Sequence, residues 1–468
     1  MKRFMAIAAA LLAATFAARA DEKDYVAYAQ PTIAFTHATV VDGTGGKPRL
    51  DQTLVIDKGR IVALGAARRT SVPAGALTID ASGKTLLPGF VMMHEHLFYP
   101  TGNNAYTEMV HSFVPLYLAG GTTTMRTAGT MMAYADLNLR DAIDKGTRVG
   151  PDIDVSGPYL NGPGLPIAGV HALTDPGDAE RMVDYWADEG VTSFKAYMNI
   201  TRAELQRAIE TAHRRDRKVT AHLCSLTYRE AVELGIDNLE HGFFVASDFV
   251  KDKQPDRCPG AAVSESLVAL DPQSPELESL IRLLVDHHVA LTSTLTVFET
   301  FVAGRPKAPQ GALDLLIPEV RAQYEQAWAA IQAKPKPAWT VLYPKLAKLE
   351  KRFVEAGGLL MAGTDPTGYG GVVPGYSAKR QIELLVESAG FSFEQAVRIA
   401  TLNGARYLGR DRDVGTLEVG KRADIVVIEG DPLTDATAIE DMPLVFKNGV
   451  GYRTETIFQA MQGTVGLN

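Results

Sequence analysis

A short apolar segment that ends in two histidines constrains this chain more than any other feature. Residues 90–93 are all apolar; they follow Pro88-Gly89 and lead into His94 and His96. Proline and glycine interrupt regular structure, and a continuous apolar run fits a strand that is buried on both faces. Residues two apart on a strand project from the same face. Both imidazoles can therefore reach one metal ion, although a pair of ordinary surface or hydrogen-bonded histidines is the alternative.

The motif Pro-Gly-hydrophobic-hydrophobic-x-x-His-x-His resembles the opening signature of the amidohydrolase superfamily, in which it ends the first strand of a (β/α)8 barrel. The resemblance implies a lysine at the end of strand 4, single histidines that end strands 5 and 6, and an aspartate that ends strand 8. Within the superfamily, the chain looks most like the branch that contains imidazolonepropionase-like proteins, Xaa-Pro dipeptidases (prolidase-like enzymes) and N-acyl amino acid hydrolases.

Residues 88–412 alternate short apolar strands with amphipathic helices, which indicates βα units and a parallel sheet. Eight such units predict an α/β fold, a (β/α)8 TIM barrel, with its site at the carboxyl ends of the strands. The strands are expected near residues 90–94, 122–126, 153–156, 193–197, 219–222, 238–241, 290–295 and 359–365. Two long connections, 245–287 and 298–356, carry helical patterns such as Leu313 to Lys334 and Leu342 to Ala356. We expect them to be lids or subunit contacts.

Both ends of the chain read as short strands separated by turns. Residues 31–87 hold five such strands, and a hairpin with an Asn448-Gly449 turn follows a strand at 424–428. We expect the two ends to share one sheet. The resemblance implies a small composite β-sandwich domain, built from 31–87 and 413–460, beside the barrel of 88–412.

The first 20 residues are predicted to be a secretory signal peptide. Lys2 and Arg3 precede an apolar run, and Ala18-Arg19-Ala20 forms a cleavage site. A membrane anchor is the alternative, but the apolar run is shorter than the ~20 residues that span a bilayer. We therefore expect export, with the mature protein in a bacterial periplasm.

Net charge limits the classes of partner that this chain can bind, and the cysteine count limits its disulfides. The formal net charge is −8 and no run of lysine or arginine occurs, so nucleic acid and anionic membranes are poor partners. A small-molecule amide or dipeptide is the expected partner, together with further copies of this chain in a homo-oligomer. The two cysteines, Cys224 and Cys258, could pair in an oxidising compartment or remain two free thiols.

Four further residues meet the demands of the resemblance. Lys195 lies in an apolar strand, where burying an ammonium costs several kcal/mol unless it is paired or its pKa falls. His222 and His241 each end a predicted strand, and Asp365 ends the eighth, where it could otherwise cap a helix before Pro366.

The resemblance assigns these residues one mechanism. It implies two divalent metal ions, zinc by preference, held by His94, His96, Lys195, His222, His241 and Asp365, with carboxylated Lys195 as the bridge. A single-metal variant exists in the superfamily. Metal-activated hydroxide would attack the carbonyl, and Asp365 would be the catalytic proton shuttle from the attacking water to the leaving nitrogen.

Substrate-binding candidates follow from position alone. His171 lies in a loop rich in glycine and proline after strand 3, and Tyr99, Tyr197 and Arg126 lie at or just past strand ends. Arg126 could meet a substrate carboxylate or pair inside the barrel wall.

The function expected from the sequence is hydrolysis of a linear amide, in a dipeptide or an N-acyl amino acid. A cyclic amide or imide, or a lactone or ester, is the alternative within the superfamily. An exported metal-binding protein without catalytic activity is the alternative from another class; Asp365 argues against it, because a storage site has no use for a proton shuttle.

Overall fold

The computed structural model describes residues 21–102, 105–165, 167 and 169–467. The predicted signal peptide, residues 1–20, lies outside the described residues. Within the described part of the chain, no helix is long and apolar enough to cross a membrane.

Eight parallel strands form the centre of the molecule, and each coincides with a strand predicted from the sequence. They are β7 (Phe90–Glu95), β10 (Thr122–Thr127), β11 (Asp152–Asp154), β12 (Ser193–Ala196), β13 (Lys218–Ala221), β14 (Asn238–Glu240), β15 (Ala290–Ser293) and β16 (Leu360–Ala362). They lie in two parallel sheets, of order β11-β10-β7 and β12-β13-β14-β15-β16. Their side chains are almost all buried, as expected for strands covered on both faces.

Backbone hydrogen bonds also join the two sheets to each other. On one side Gly157 N–H donates to the Ser193 carbonyl over 2.9 Å, next to β12. On the other side Thr364 N–H, just past β16, donates to the His94 carbonyl of β7 over 3.1 Å. The carboxyl ends of strands from both sheets are therefore neighbours.

A nine-stranded sheet combines both ends of the chain, as the sequence predicts. Its strands are β1 (Val26–Tyr28), β2 (Thr32–Val40), β3 (Arg49–Asp57), β4 (Arg60–Ala66), β5 (Leu77–Asp80), β6 (Lys84–Pro88), β17 (Ile425–Glu429), β18 (Leu444–Lys447) and β19 (Val450–Arg453). β17 from the C-terminal part pairs antiparallel with β6, and β1 pairs with β19. The predicted hairpin is β18 and β19, and its turn residue Asn448 has a positive φ of 52°. The boundaries 87/88 and 412/413 remain a prediction for the division into domains.

Helices cover and connect the strands. They are α1 (Phe113–Ala119), α2 (Ala133–Asp144), α3 (Pro176–Asp188), α4 (Arg202–Arg214), α5 (Tyr228–Glu233), α6 (Ala261–Ala269), α7 (Pro275–Asp286), α8 (Leu295–Glu299), α9 (Gln310–Leu315), α10 (Pro318–Ala333), α11 (Pro337–Glu355), α12 (Ser377–Glu387), α13 (Phe393–Ala400), α14 (Leu402–Tyr407) and α15 (Thr454–Ala460). Glu22–Tyr25 and Ala436–Glu440 are 3-10 helices, and β8 (Phe98–Gly102) pairs with β9 (Ala105–Glu108).

Local sequence explains where these helices begin and end. The Thr201 hydroxyl accepts from Glu204 N–H at the start of α4, and Asp175 caps α3 ahead of Pro176. The helix predicted from Leu313 to Lys334 is two helices, α9 and α10. They separate at Ile317 because the ring of Pro318 disfavours helical backbone at the residue before it.

A disulfide joins Cys224, three residues past β13, to Cys258 in the long connection between β14 and β15. The structure thus confirms pairing, the first of the two alternatives left open by the sequence. The bond closes a loop over a sequence separation of 34 residues.

Candidate active site

The six predicted metal ligands converge at the carboxyl ends of the parallel strands. His94 and Lys195 lie within β7 and β12, His222 and His241 directly follow β13 and β14, and Asp365 follows β16. All six, His96 included, line one cavity of about 190 Å³. The strands bring together side chains that are far apart in sequence, as the resemblance implied.

Three of these residues form a compact group. Asp365 Oδ1 lies 3.3 Å from His96 Nε2, and Asp365 Oδ2 lies 3.7 Å from His94 Nε2. One donor atom from each of the three residues falls within 4.8 Å of the others. That spacing allows one ion to contact all three residues.

The hydrogen bonds behind the two histidines fix which ring nitrogen faces the cavity. His96 Nδ1 donates to the Gly129 carbonyl over 3.1 Å, and His94 Nδ1 donates to Glu240 Oε2 over 2.7 Å. A carbonyl or carboxylate oxygen only accepts, so each Nδ1 carries the proton and each Nε2 presents a lone pair to Asp365.

A buried ion-pair network holds the carboxylate behind His94. Glu240 Oε1 accepts from Arg126 Nη2 over 2.6 Å, and Arg126 also donates to the Met93 carbonyl over 2.9 Å. Burial would raise the pKa of Glu240, but Arg126 and His94 hold it well below its usual range, so the group stays ionised. The prediction that Arg126 contacts substrate is wrong, because this arginine is 1% exposed and its Nε and Nη2 donate inside the wall, while its buried Nη1 has no hydrogen-bond partner among the described residues. Its wall-pairing alternative is the correct one.

Lys195 is the cationic member of the cluster. Its side chain is buried, and its Nζ lies 3.1 Å from His94 Nε2. Burial lowers the pKa of Lys195 to about 8, against the opposing effects of Glu240 and Asp365. The lowered pKa increases the fraction of Lys195 that is neutral at neutral pH, and the neutral amine is the nucleophilic form.

His222 and His241 complete the other side of the cavity. Their ring centroids lie 4.5 Å apart, and the His241 ring lies 4.6 Å from the His94 ring. Burial, followed by the charge of Lys195, lowers the pKa of His222 to about 3, and burial and His222 lower the pKa of His241. Both imidazoles are therefore neutral, which is the form that binds metals.

Asp365 adopts a backbone conformation that its side-chain position requires. Its φ is 53°, in the left-handed region, and its N–H donates to the His94 carbonyl over 3.0 Å. Thr367 Oγ1 donates to Asp365 Oδ1 over 2.7 Å. His241 also has a positive φ, 69°. Non-glycine residues seldom adopt this conformation, and the cost of holding it is typical of functional sites.

The donor set fits a metal centre. His96 Nε2 and Asp365 Oδ1 are both acceptors at 3.3 Å, a contact that needs a cation or a proton between them. His241 Nδ1 is hydrogen-bonded to Thr294 Oγ1 over 2.8 Å, whereas its buried Nε2 has no partner among the described residues. A neutral imidazole nitrogen left in this state is available to a metal ion.

Of the three remaining predicted substrate-binding residues, one lines the cavity and two do not. Tyr197 lines the cavity, as predicted. Tyr99 does not line it: side chains alternate along β8, so Phe98 faces the cavity while the buried Tyr99 hydroxyl accepts from Gly371 N–H over 2.8 Å. His171 does not line it either; its ring is 47% exposed and pairs with Asp178 over 2.8 Å.

An aromatic collar surrounds the ligand cluster, and the sequence interpretation found only one of its members. We give this name to six rings that line the cavity: Phe98, Tyr106, Tyr159, Tyr197, Phe298 and Phe301. Phe298 and Phe301 come from the long connection 298–356, consistent with its predicted role beside the site; no residue of the connection 245–287 lines the cavity. Phe98 lies three residues past the end of β7, and Tyr159 lies five residues past the end of β11. Closeness to a strand end was the signal in the sequence that could have identified both rings.

Comparisons with known proteins agree with this geometry. The imidazolonepropionase of Saccharopolyspora erythraea is 25% identical over 407 residues, 81% of this chain and 87% of that protein. A provisionally named prolidase from Bifidobacterium longum superposes with a TM-score of 0.68 at 28% identity, over 90% of this chain and 94% of that one. Two other relatives match over short stretches. The chain spans 25% of the enamidase of Eubacterium barkeri, at 33% identity over 100 residues, 21% of this chain. It spans 8% of a 5-methylthioadenosine/S-adenosylhomocysteine deaminase of Moorella thermoacetica, at 54% identity over 35 residues, 8% of this chain.

The sequence signature of the amidohydrolase family matches residues 85–451, which include all six converging residues. The resemblance read from the first histidine motif, including its imidazolonepropionase-like and prolidase-like branch, is confirmed. The chain therefore belongs to the amidohydrolase family of carbon–nitrogen bond hydrolases.

Proposed function

We propose that the chain is a metal-dependent enzyme that hydrolyses a linear amide bond in a small molecule. The observation that carries this proposal is the convergence of His94 Nε2, His96 Nε2 and the Asp365 carboxylate within 4.8 Å, in a cavity that Lys195 also lines. Hydrolysis adds water across the amide and yields a carboxylic acid and an amine.

Two divalent metal ions, zinc by preference, fit the residues present. His94, His96 and Asp365 would hold one ion, and His222 and His241 the other, with Lys195 carboxylated and shared between them. When bound, such ions lower the pKa of water and polarise a carbonyl oxygen. The lowered pKa of Lys195 supports its carboxylation, because only the neutral amine adds carbon dioxide.

Asp365 is the proton shuttle of this proposal. Burial would raise the pKa of Asp365, but His94 and His96 hold it well below its usual range, so the group is ionised, which is the form that a general base requires. It takes the proton of the attacking water and delivers it to the leaving nitrogen. An amide, whose amine leaves poorly unless protonated, is the substrate that most needs this step.

The architecture supports the same proposal. We infer that the eight parallel strands close into the predicted (β/α)8 barrel; the hydrogen bonds of Gly157 to Ser193 and of Thr364 to His94 support closure on both sides. The nine-stranded sheet supports the composite β-sandwich. Export to a periplasm, through the predicted signal peptide, and assembly into a homo-oligomer complete the proposal.

Dipeptides and N-acyl amino acids are the linear amides that the sequence favoured. Tyr197 in the cavity supports an apolar or aromatic substrate. Arg126, however, does not reach the cavity and supplies no partner for a terminal carboxylate.

Metal analysis and a substrate panel test the proposal. The protein is loaded with zinc, its metal content is measured, and the mass at Lys195 is examined for an added carboxyl group. Turnover is then compared on linear amides, cyclic imides, lactones and a phosphotriester. We expect two metal ions per chain and the highest kcat/KM on a linear amide.

The variant Asp365→Asn is the matched test of the shuttle, and we expect a loss of ~100-fold or more in kcat. If kcat/KM for a cyclic substrate or a phosphotriester exceeded that for every linear amide by more than ~10-fold, linear-amide hydrolysis would be rejected as the main activity. Full activity of Asp365→Asn would exclude Asp365 as the proton shuttle. Bound metal without turnover on any substrate would favour the non-catalytic alternative.

A further inference from the structure

Each histidine at the rim of the cluster is covered by a ring of the aromatic collar. Phe98 stacks on His96 with centroids 4.4 Å apart, and Tyr197 packs on His222 at 4.9 Å. Phe298 packs edge-on against His241 at 5.4 Å. A substrate whose carbonyl reaches the cluster must therefore lay its flanking groups against aromatic faces.

Outside the cluster, the described residues of the cavity wall are uncharged. Met131, Ile167 and Val297 add apolar surface between the rings. Among the described residues that line the cavity, Lys195 is the one lysine or arginine, and its Nζ is occupied with His94 at the floor. A free carboxylate that points away from the cluster, and so away from any bound metal ions, would lie against the collar without a cationic side chain opposite it.

Two arginines that contact α8, Arg305 and Arg380, are paired with glutamates. Glu299, next to Phe298 in the chain, accepts from Arg380 over 2.7 Å and from Arg305 over 2.7 Å. Both arginines line a different cavity, on the other side of α8, and Arg380 also pairs with Glu383 over 2.7 Å. Neither arginine has its charge free to offset a substrate carboxylate in the active-site cavity.

We propose that the preferred substrate is a neutral amide whose flanking groups are aromatic or apolar, and that a free carboxylate next to the amide nitrogen is selected against. This inference rests on the proposed linear-amide hydrolysis and narrows it. An uncompensated carboxylate loses its hydration against the rings, which disfavours both binding and the transition state. The aromatic faces in turn favour a ring on the substrate.

A pair of substrates that differ only in the carboxylate tests the inference. N-acetylphenethylamine and N-acetyl-L-phenylalanine carry the same acetyl group, amide and phenyl ring. We expect the zinc-loaded enzyme to cleave the neutral compound with a kcat/KM at least ~10-fold higher. Calorimetric dissociation constants for both compounds, measured on Asp365→Asn, give the same comparison without turnover.

A second test places a positive charge in the aromatic collar. In Phe301→Arg, a guanidinium at the cavity wall should shift the ratio of the two kcat/KM values towards the carboxylate by ~10-fold. Tyr185→Arg, at a ring that is 51% exposed on α3, adds the same charge outside the cavity and should leave the ratio unchanged.

The outcomes separate the two proposals. Equal or tighter binding of N-acetyl-L-phenylalanine, or its faster cleavage, overturns the neutral-amide inference while linear-amide hydrolysis stands. Tighter binding of the neutral compound without cleavage of either one upholds the preference of the cavity and rejects linear-amide hydrolysis as the reaction.

Discussion

Removal of Arg126 should destabilise the protein strongly although the residue touches no substrate. In Arg126→Met the side chain keeps much of its volume but loses its charge and all its donors. Glu240, which is completely buried, then loses its ion pair with Arg126. Breaking a buried pair on one side costs ~3–5 kcal/mol, because an uncompensated charge remains. The lost bond to the Met93 carbonyl adds to that cost.

Urea unfolding of the metal-free protein measures this cost apart from any effect on metal binding. We expect Arg126→Met to lower the free energy of unfolding by ~3–5 kcal/mol. The double variant with Glu240→Gln should lose less than the sum of the single losses, by ~1–3 kcal/mol, because the unpaired charge has gone. Arg214→Met, which breaks an exposed pair with Glu180, is the matched control and should cost no more than ~1 kcal/mol.

Two results would refute the reasoning about this network. One is a loss for Arg126→Met no larger than that for Arg214→Met. The other is additivity of Arg126→Met and Glu240→Gln, since residues that form one ion pair must couple. Zinc affinity, measured by competition with a chelator, should also fall by ~10-fold or more in Glu240→Gln, because the hydrogen-bond partner of His94 Nδ1 becomes neutral and no longer raises the basicity of the imidazole.

Three further predictions follow from other parts of the molecule. Reduction of Cys224–Cys258, or the double change to serine, should lower the free energy of unfolding by ~3–4 kcal/mol, as loop closure over 34 residues requires; two free thiols in the unreduced, unfolded protein would exclude the bond. Burial raises the pKa of Glu350 to about 8 from 4.5, so the wild-type fold loses stability as pH rises from about 5 to 8. Glu350→Gln should remove that part of the pH dependence, and parallel stability–pH curves would contradict it. Lys195→Arg, which cannot form a carbamate, should retain less metal than the wild type after dialysis, by elemental analysis, and an unchanged content would exclude Lys195 as a ligand.

The convergence of the six residues could be predicted from the sequence because they lie on strands or just past strand ends. Parallel strands place their carboxyl ends at one edge of a sheet, so His222 and Asp365 could be brought together without knowledge of any contact. Strands such as β7 and β16 could be found for a related reason: each is a short apolar run bounded by polar or turn residues, which is a local pattern. The more polar β10, β11 and β14 were predicted from the alternation of strands with helices along the chain.

The aromatic collar and the position of Arg126 could not be predicted in that way. Phe298 belongs to a helix whose orientation depends on tertiary packing, and Phe98 differs from Tyr99 only in the face of β8 that it occupies. An arginine at a strand end can face the cavity or a buried carboxylate. The choice for Arg126 is decided by Glu240, more than a hundred residues later in the chain.

The pairing of β6 with β17 and of β1 with β19 also restricts when this protein can finish folding. A ribosome releases the N-terminal strands first, yet the edge of β6 finds its partner only after nearly the whole chain has been synthesised. Until then that edge exposes backbone donors and acceptors that could pair with another chain. A nascent molecule with this topology therefore spends its synthesis time incompletely folded, and a chaperone that covers strand edges would shorten the interval during which it can aggregate.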